Sequence, residues 1–404
     1  MTQYKSTIYI ILIISITVSF SNCKKTIVQP TETCNIDFVD SSSSHPKATK
    51  YQNIIDKYTK KGIPGIVLLI QDSSGVWIGS SGKADIKRNI NMMPCTVSKI
   101  ASITKLFIGA LSVILADEGY FNLDDKISKY IPEKIIKKIE NANECTVKQL
   151  LNHTSGIYDH VSDQGFYLKL LNNPDHNWNQ EEILEYVYNK PAYFATESGI
   201  KYSNTNFVLL SMVIEAATGK SHSELLHSKI LDHLNLKHTY YFWHDKLPEY
   251  TAQGYFDLYN NGNILNMSNY NTGSGNGYGG IYSTVSDMNI FLNALLVDKT
   301  LLTANQYNTL MTFTTTKEYD EVNESRYLGM GIFHQYFLGR NDDESAFGHG
   351  GRDLAYNADL YWFPKNNTRL SYIVNYGTNG KSTVTDAFNE FRKTVIAEIF
   401  DKNN

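Results

Sequence analysis

Residues 101–120 read ASITKLFIGALSVILADEGY, and the reading of this stretch decides the rest of the chain. Ile103, Leu106, Phe107, Ala110, Leu111, Ile114 and Leu115 recur at the spacing of one helical face, which predicts a buried helix. Gly119 supplies a stop. Lys105 stands at the mouth of that helix, one turn after Ser102. A lysine loses hydration when buried, and Ser102 offers it no charge partner. Either Lys105 points into water or a site has a use for it. Residues i and i+3 share a helix face, so the Lys105 amine can approach the Ser102 hydroxyl. The helix N-terminus adds free N–H groups and a partial positive charge for a developing oxyanion. A lysine held in a dry cationic pocket gives up its proton and serves as a base. The S-x-x-K spacing alone is weak, because it also occurs at Ser21, Ser44, Ser80 and Ser198. Only Ser102 opens a long amphipathic helix.

Two further clusters extend the pattern. Lys201-Tyr202-Ser203-Asn204-Thr205-Asn206 precedes a helix predicted from Phe207 to Ala217. A tyrosine can relay protons, and an asparagine two residues later can orient a substrate amide. Y-x-N recurs at Tyr51 and Tyr259, so it too is weak alone. Phe347-Gly348-His349-Gly350-Gly351-Arg352 lies just before a strand, and its glycines let a backbone approach a substrate closely.

In this order the three clusters resemble the serine beta-lactamase and penicillin-binding-protein superfamily, on its class C and D,D-peptidase/esterase side. Residues 149–157, QLLNHTSGI, are similar to that family's L-L-x-H-T-S-G segment, and residues 278–288, YGGIYSTVSDM, to its G-G-x-x-S-T-x-x-D segment. Leu123-Asp124-Asp125-Lys126 also fits. The resemblance runs from about residue 50 to 400. It implies a beta-lactamase/transpeptidase-like α/β (α+β) fold, an antiparallel sheet flanked by helices with an inserted, mostly helical region. It implies Ser102 as the acylated nucleophile, with Lys105 and Tyr202 as catalytic partners, either of which could be the acylation base. Asn204, His349, Gly351 and Arg352 would bind substrate. The backbone N–H groups of Ser102 and Arg352 would form the oxyanion hole, and the Arg352 side chain, if turned into the cleft, would hold a substrate carboxylate. The implied reaction is acyl transfer to water without metal or cofactor. The expected substrate is a D-amino-acid peptide such as a peptidoglycan stem, or a small ester. The rival reading is a penicillin-binding sensor or peptidoglycan-binding domain in which Ser102 acylates without turnover.

The bulk properties agree with a globular enzyme. The 404 residues are 42% hydrophobic and 19% charged, with 37 Lys plus Arg against 41 Asp plus Glu, a balance that gives no footing for nucleic acid. Lys5 followed by the apolar run from Ile8 to Phe20 predicts a signal peptide over residues 1–22. Ser21-Asn22-Cys23 resembles a lipoprotein cleavage site with Cys23 lipidated; plain secretion and a retained anchor are the alternatives. All three place the protein outside the cytoplasm; the lipoprotein reading puts it in the cell envelope, attached to membrane only through its N-terminal lipid. Residues 23–48 read as a polar tether and 49–402 as the catalytic domain. Cys95 and Cys145 are a candidate disulfide. Strand-like runs at residues 65–70, 76–79, 358–363 and 370–374, with a last helix over 382–399, predict one sheet closed by both ends of the domain. His222, His227, His233 and His238 lack the i, i+4 spacing of a helical metal site and read as surface helix and loop. His153 reads as structural.

Overall fold

The computed structural model describes residues 27–35, 42–320, 323–378 and 382–401. The signal segment 1–22 and Cys23 lie outside the described residues. Near the start of the domain, helix α1 (Ala48–Lys60) precedes a hairpin of β1 (Gly65–Asp72) and β2 (Gly75–Asp85), with a two-residue edge strand β3 (Ile90–Asn91). Ile66, Val67, Leu68, Leu69 and Ile70 are all buried, so β1 is covered on both faces. Burial of that kind contributes on the order of 1.5–3 kcal/mol for each large aliphatic side chain. The far end of the chain supplies β4 (Glu318–Tyr319), β5 (Ser325–Leu328), β6 (Phe333–Tyr336), β7 (Ala346–Arg352), β8 (Asn357–Phe363) and β9 (Thr368–Val374). Among the described residues these strands form one nine-stranded sheet in the order β3-β2-β1-β9-β8-β7-β6-β5-β4. Every pairing is antiparallel, and β1 meets β9 in the register Ile66↔Val374. The sheet is therefore closed by both ends of the domain, as the apolar runs predict.

Helices cover both faces. The last helix, running from Thr383 to Phe400, is capped by the Ser382 hydroxyl, which accepts from the Thr385 N–H. It packs beside α1, with Tyr58 edge-on to Phe391 and Tyr372 of β9 against the same ring. The other face carries the stretch that opened the sequence. A 3₁₀ turn, Ala101–Ile103, leads into α2 (Thr104–Asp117), which ends at Gly119 with φ +82°. The helix therefore begins three residues later than its periodicity predicts, and Ser102 sits in the tighter turn at its mouth. Tight 3₁₀ turns are common at helix N-termini. Phe107 stacks on Phe291 with centroids 3.6 Å apart, joining α2 to the helix of residues 285–292. Between α2 and that helix in the chain lies the inserted helical region. Its longest helix, α3 (Thr205–Thr218), stops at Gly219 with φ +70°.

The β5–β6 hairpin docks directly on α2. Gly331 has φ +78°, and a Cβ there would come 2.4 Å from the Lys105 carbonyl oxygen. Only glycine fits both the conformation and the approach.

Three sequence expectations are corrected here. Cys95 pairs with Cys34, and Cys145 is free and buried. Cys34 lies in the stretch read as a tether, but residues 27–35 are packed on the domain: Val28 and Thr31 are buried, and the Thr31 hydroxyl donates to the Thr251 carbonyl at 2.6 Å. His222 is also buried rather than at the surface, bonded to Glu215 at 2.6 Å and Tyr241 at 3.0 Å. No metal-binding cluster occurs among the described residues, and none of their helices is long and apolar enough to cross a membrane.

Candidate active site

Ala101 holds a left-handed φ of +48°, an uncommon conformation for a residue with a Cβ. It lifts Ser102 out of the approaching strand and into the turn that opens α2. Lys105, one turn on, is completely buried. Its Nζ lies 3.2 Å from Ser102 Oγ, 2.8 Å from Asn204 Oδ1 and 2.5 Å from the Tyr278 carbonyl oxygen. An amine with three acceptors around it is held in one place. Burial pushes Lys105 down to about 7, although the Asp159 and Asp353 carboxylates favour its charge. A large share of the lysine is thus neutral at physiological pH and able to take a proton from Ser102.

Asn204 is oriented by a residue that carries no motif signal. Asp159 Oδ1 accepts the Asn204 backbone N–H and Oδ2 accepts its side-chain amide, both at 3.0 Å. A carboxylate takes only donors, so the Asn204 NH₂ turns to Asp159 and its oxygen is left facing Lys105. Burial pushes Asp159 up to about 6, against the opposing pull of those two hydrogen bonds.

Tyr202 lies beneath the same amine, with Lys105 Nζ 5.0 Å from its ring centroid. Among the described residues its buried hydroxyl has no formed hydrogen bond, and Ser102 and Arg326 are the side chains that favour its ionisation. Burial dominates and raises the phenol well above its usual value, so it keeps its proton at neutral pH. His153 supports the ring from the other side, centroids 4.4 Å apart. Its Nδ1 accepts from the Ser203 N–H at 3.2 Å, and burial holds it far below the usual imidazole value. His153 is a brace for this segment, the structural role its sequence suggests.

The third cluster lies on β7. His349 stacks on Phe333 at 3.8 Å and faces the Tyr202 ring at 6.2 Å. Its Nδ1 is 2.6 Å from the Gly350 carbonyl oxygen, which can only accept, so Nδ1 carries the proton. Burial keeps the ring neutral. Nε2 is left as a buried acceptor with no partner among the described residues. Gly351 closes the arrangement: a Cβ there would meet the Ile100 carbonyl oxygen at 2.1 Å. That contact brings the Gly351–Arg352 end of β7 against the turn carrying Ser102.

Arg352 does not enter the cleft with its side chain. Its Nη1 donates to Asp359 Oδ1 at 2.8 Å, and its guanidinium lies 5.1 Å from the Phe388 ring of the last helix. Asp359 also takes Arg392 and Tyr372, which completes a charge cluster on the face covered by the last helix. The expectation of a carboxylate-binding Arg352 side chain is therefore corrected, and only its backbone remains near Ser102. Strand alternation explains the placement: His349 and Arg352 are an odd number of residues apart on one strand, so they point to opposite faces. A buried ion pair between Lys99 and Asp353 adds a further polar group that sequence reading did not select.

The chain is similar to known proteins in sequence and in fold. The Beta-lactamase family profile matches residues 51–393. The chain is 28% identical over 302 residues to the teichoic acid D-alanine hydrolase of Staphylococcus aureus, covering 72% of this chain and 70% of that protein. It is 30% identical over 207 residues to protein flp of Staphylococcus aureus (strain NCTC 8325 / PS 47), covering 50% of this chain but only 40% of flp. Among solved structures, the D-amino acid amidase of Ochrobactrum anthropi SV3, complexed with L-phenylalanine amide, superposes with TM-score 0.75 at 25% identity, covering 87% of this chain and 97% of that one.

Proposed function

The chain belongs to the Beta-lactamase family, and on that premise we propose that it is a serine hydrolase that cleaves D-aminoacyl esters and amides through an acyl-enzyme. The observation that carries the reading is the buried Lys105, depressed to about 7 and 3.2 Å from Ser102 Oγ. Neutral Lys105 takes the Ser102 proton as Oγ attacks the substrate carbonyl. The tetrahedral oxyanion forms at the Ser102 turn, against the end of β7, where the backbone N–H groups of Ser102 and Arg352 are the donors. Tyr202 keeps its proton at neutral pH, so it is the donor to the leaving group, and Lys105 is the base for acylation. The Lys105 ammonium returns its proton to Tyr202, and water, giving a proton to the neutral Lys105, then attacks the acyl-enzyme carbonyl and frees Ser102, which takes that proton back.

The substrate class rests on two supports. The hydrolase and the amidase compared above are named for D-amino acid derivatives. Beside Tyr202, His349 Nε2 is a buried, neutral acceptor with no partner among the described residues, which suits an N–H donor on the substrate, and Arg352 supplies no cation for a carboxylate. Beta-lactams, which carry a fixed carboxylate, are therefore expected to turn over poorly. We place the protein in the cell envelope, exported by residues 1–22 and anchored at Cys23. The Cys34–Cys95 disulfide favours an oxidising compartment.

The test is intact-mass spectrometry over time with the p-nitrophenyl esters of D- and L-alanine, D-phenylalanine amide and a cephalosporin. A transient adduct on wild type and none on Ser102→Ala is expected, with D- favoured over L-alanine. A permanent adduct with every acyl donor would return the non-turnover reading. Preference for the L-ester would overturn the substrate class.

A further inference from the structure

One buried ion pair belongs to none of the three motifs and yet grips the second. Tyr202 donates its backbone N–H to Glu318 Oε1 at 2.6 Å. The other oxygen of Glu318 accepts from Arg326 Nε at 2.9 Å and Nη2 at 2.7 Å. The two residues face each other across β4 and β5 at the edge of the sheet, and the Glu318 side chain is 8% exposed. The Arg326 guanidinium lies 4.2 Å from the Phe333 ring centroid and 5.5 Å from that of Tyr202. Phe333 in turn stacks on His349. A fixed cation thus sits behind the Tyr202 ring, one aromatic layer from the third motif.

Stability alone gives weak reason for such a pair. Desolvating two charges consumes most of what their attraction returns. Any neutral acceptor could satisfy the Tyr202 N–H. What a neutral acceptor could not supply is charge.

Resting on the acyl-enzyme reading above, we propose that Glu318 and Arg326 are a positioning pair for acylation: Glu318 fixes the backbone of Tyr202, and Arg326 sets the charge balance felt by Lys105 and the Tyr202 phenol. Lys105 is faced by Asp159, Asp353, Arg326, Tyr202, Tyr278, His153, His160 and His349. Tyr202 is faced by Ser102, Asp159, Glu318, Arg326, Lys105, His153 and His349. All three histidines are neutral, so Arg326 is the one permanent cation in either set. Its field disfavours the Lys105 ammonium and favours the phenolate.

The two members of the pair therefore act in opposite senses. Arg326→Gln removes the cation and leaves the Glu318 anion, so Lys105 holds its proton to higher pH. Glu318→Gln keeps an acceptor for the Tyr202 N–H but exposes the full Arg326 charge, so Lys105 loses its proton at lower pH.

The experiment measures the rate of Ser102 labelling by a fluorophosphonate against pH, in wild type, Arg326→Gln, Glu318→Gln and Arg326→Lys. The rising limb is expected to move up by about half a pH unit or more in Arg326→Gln and down by a similar amount in Glu318→Gln. Damage to packing alone would slow both variants without moving their limbs apart, and limbs that stay put or move together would overturn the proposal. Arg326→Lys keeps the charge and should keep the wild-type midpoint; if Arg326→Gln does not fold, a shifted midpoint in Arg326→Lys overturns it instead. Wild type that is not labelled at Ser102 sinks the acyl-enzyme reading itself, whereas normal labelling with unmoved limbs sinks only the role of the pair.

Discussion

At the scale of the residue, the site depends on which atoms are left without alternatives. Asn204 can present only its oxygen to Lys105 because Asp159 has claimed its NH₂. Asp159→Asn breaks that constraint, since its own NH₂ would face a donor in either orientation, the Asn204 NH₂ or the Asn204 backbone N–H. It also removes an anion that favours the Lys105 ammonium. The sign follows directly: Lys105 titrates lower, and the rising limb of kcat/KM, near pH 7 in wild type, moves toward acid. At the same time kcat falls about 10–100-fold, the scale of a misplaced catalytic group, with KM little changed. A pH–rate profile reads both, and a limb that moves toward alkali would contradict the assignment. Ser102, Lys105, Tyr202, Asn204 and His349 were legible as candidates because three short clusters, each weak alone, resemble one family's motifs when taken in order, and the structure brings these side chains together. Asp159, Glu318 and Arg326 were not. They act through contacts between segments 45 to over 100 residues apart, and no local spacing encodes such contacts. Arg352 was misplaced because the Gly-rich cluster was read as lying before a strand, whereas β7 runs through it and alternation then decides where each side chain points.

At the scale of the element, periodicity carried the long, strongly apolar pieces. The β1–β2 hairpin, β8, β9, α2, α3 and the last helix all fall within a few residues of their predicted spans, except that β2 runs six residues past its predicted end. Strands β5 and β6, with sequences SRYL and FHQY, were missed because polar residues on a partly open edge leave no apolar run to read. Those two strands nevertheless place the site, because their hairpin seats Gly331 against Lys105. Gly331→Ala combines a left-handed φ with a Cβ 2.4 Å from a backbone oxygen that cannot retreat without moving α2. The expected cost is roughly 2–4 kcal/mol of stability, the strain of the conformation plus the displacement. Activity should fall as well, because Lys105 moves with its turn. Gly119→Ala is the matched control: its φ is +82° but nothing lies within 4 Å of the added Cβ. It should cost only about 1 kcal/mol and leave kcat intact. Urea unfolding and steady-state kinetics on both variants separate the two cases, and equal effects would mean that the hairpin contact does not hold the site.

At the scale of the whole molecule, a segment ahead of the domain is fastened to it. Residues 27–35 lie along the 249–253 stretch, with the Glu32 N–H on the Glu249 carbonyl and the Gln253 amide on the Gln29 carbonyl. The same stretch pairs with Val97, whose N–H meets the Tyr250 carbonyl four residues ahead of the Ala101 turn. The Cys34–Cys95 bond closes this arrangement across 61 residues, a loop that encloses α1, β1 and β2. In the chain-entropy account a crosslink of that span restricts the unfolded chain by about 4 kcal/mol. Reduction, or Cys34→Ser, should therefore lower Tm by on the order of 5–10 °C. Ser102 acylation at 25 °C should persist, because none of the groups bonded to Lys105 belongs to the crosslinked segment. Differential scanning calorimetry with and without reductant, paired with fluorophosphonate labelling, measures both. The buried Cys145 is the internal control, since burial raises its thiol far above the usual value and Cys145→Ala should leave the sensitivity to reductant unchanged. A Tm indifferent to reductant would remove the crosslink from the fold's stability. A loss of labelling at temperatures where the fold persists would mean that the tie at Cys95 reaches through Val97 to the turn that presents Ser102.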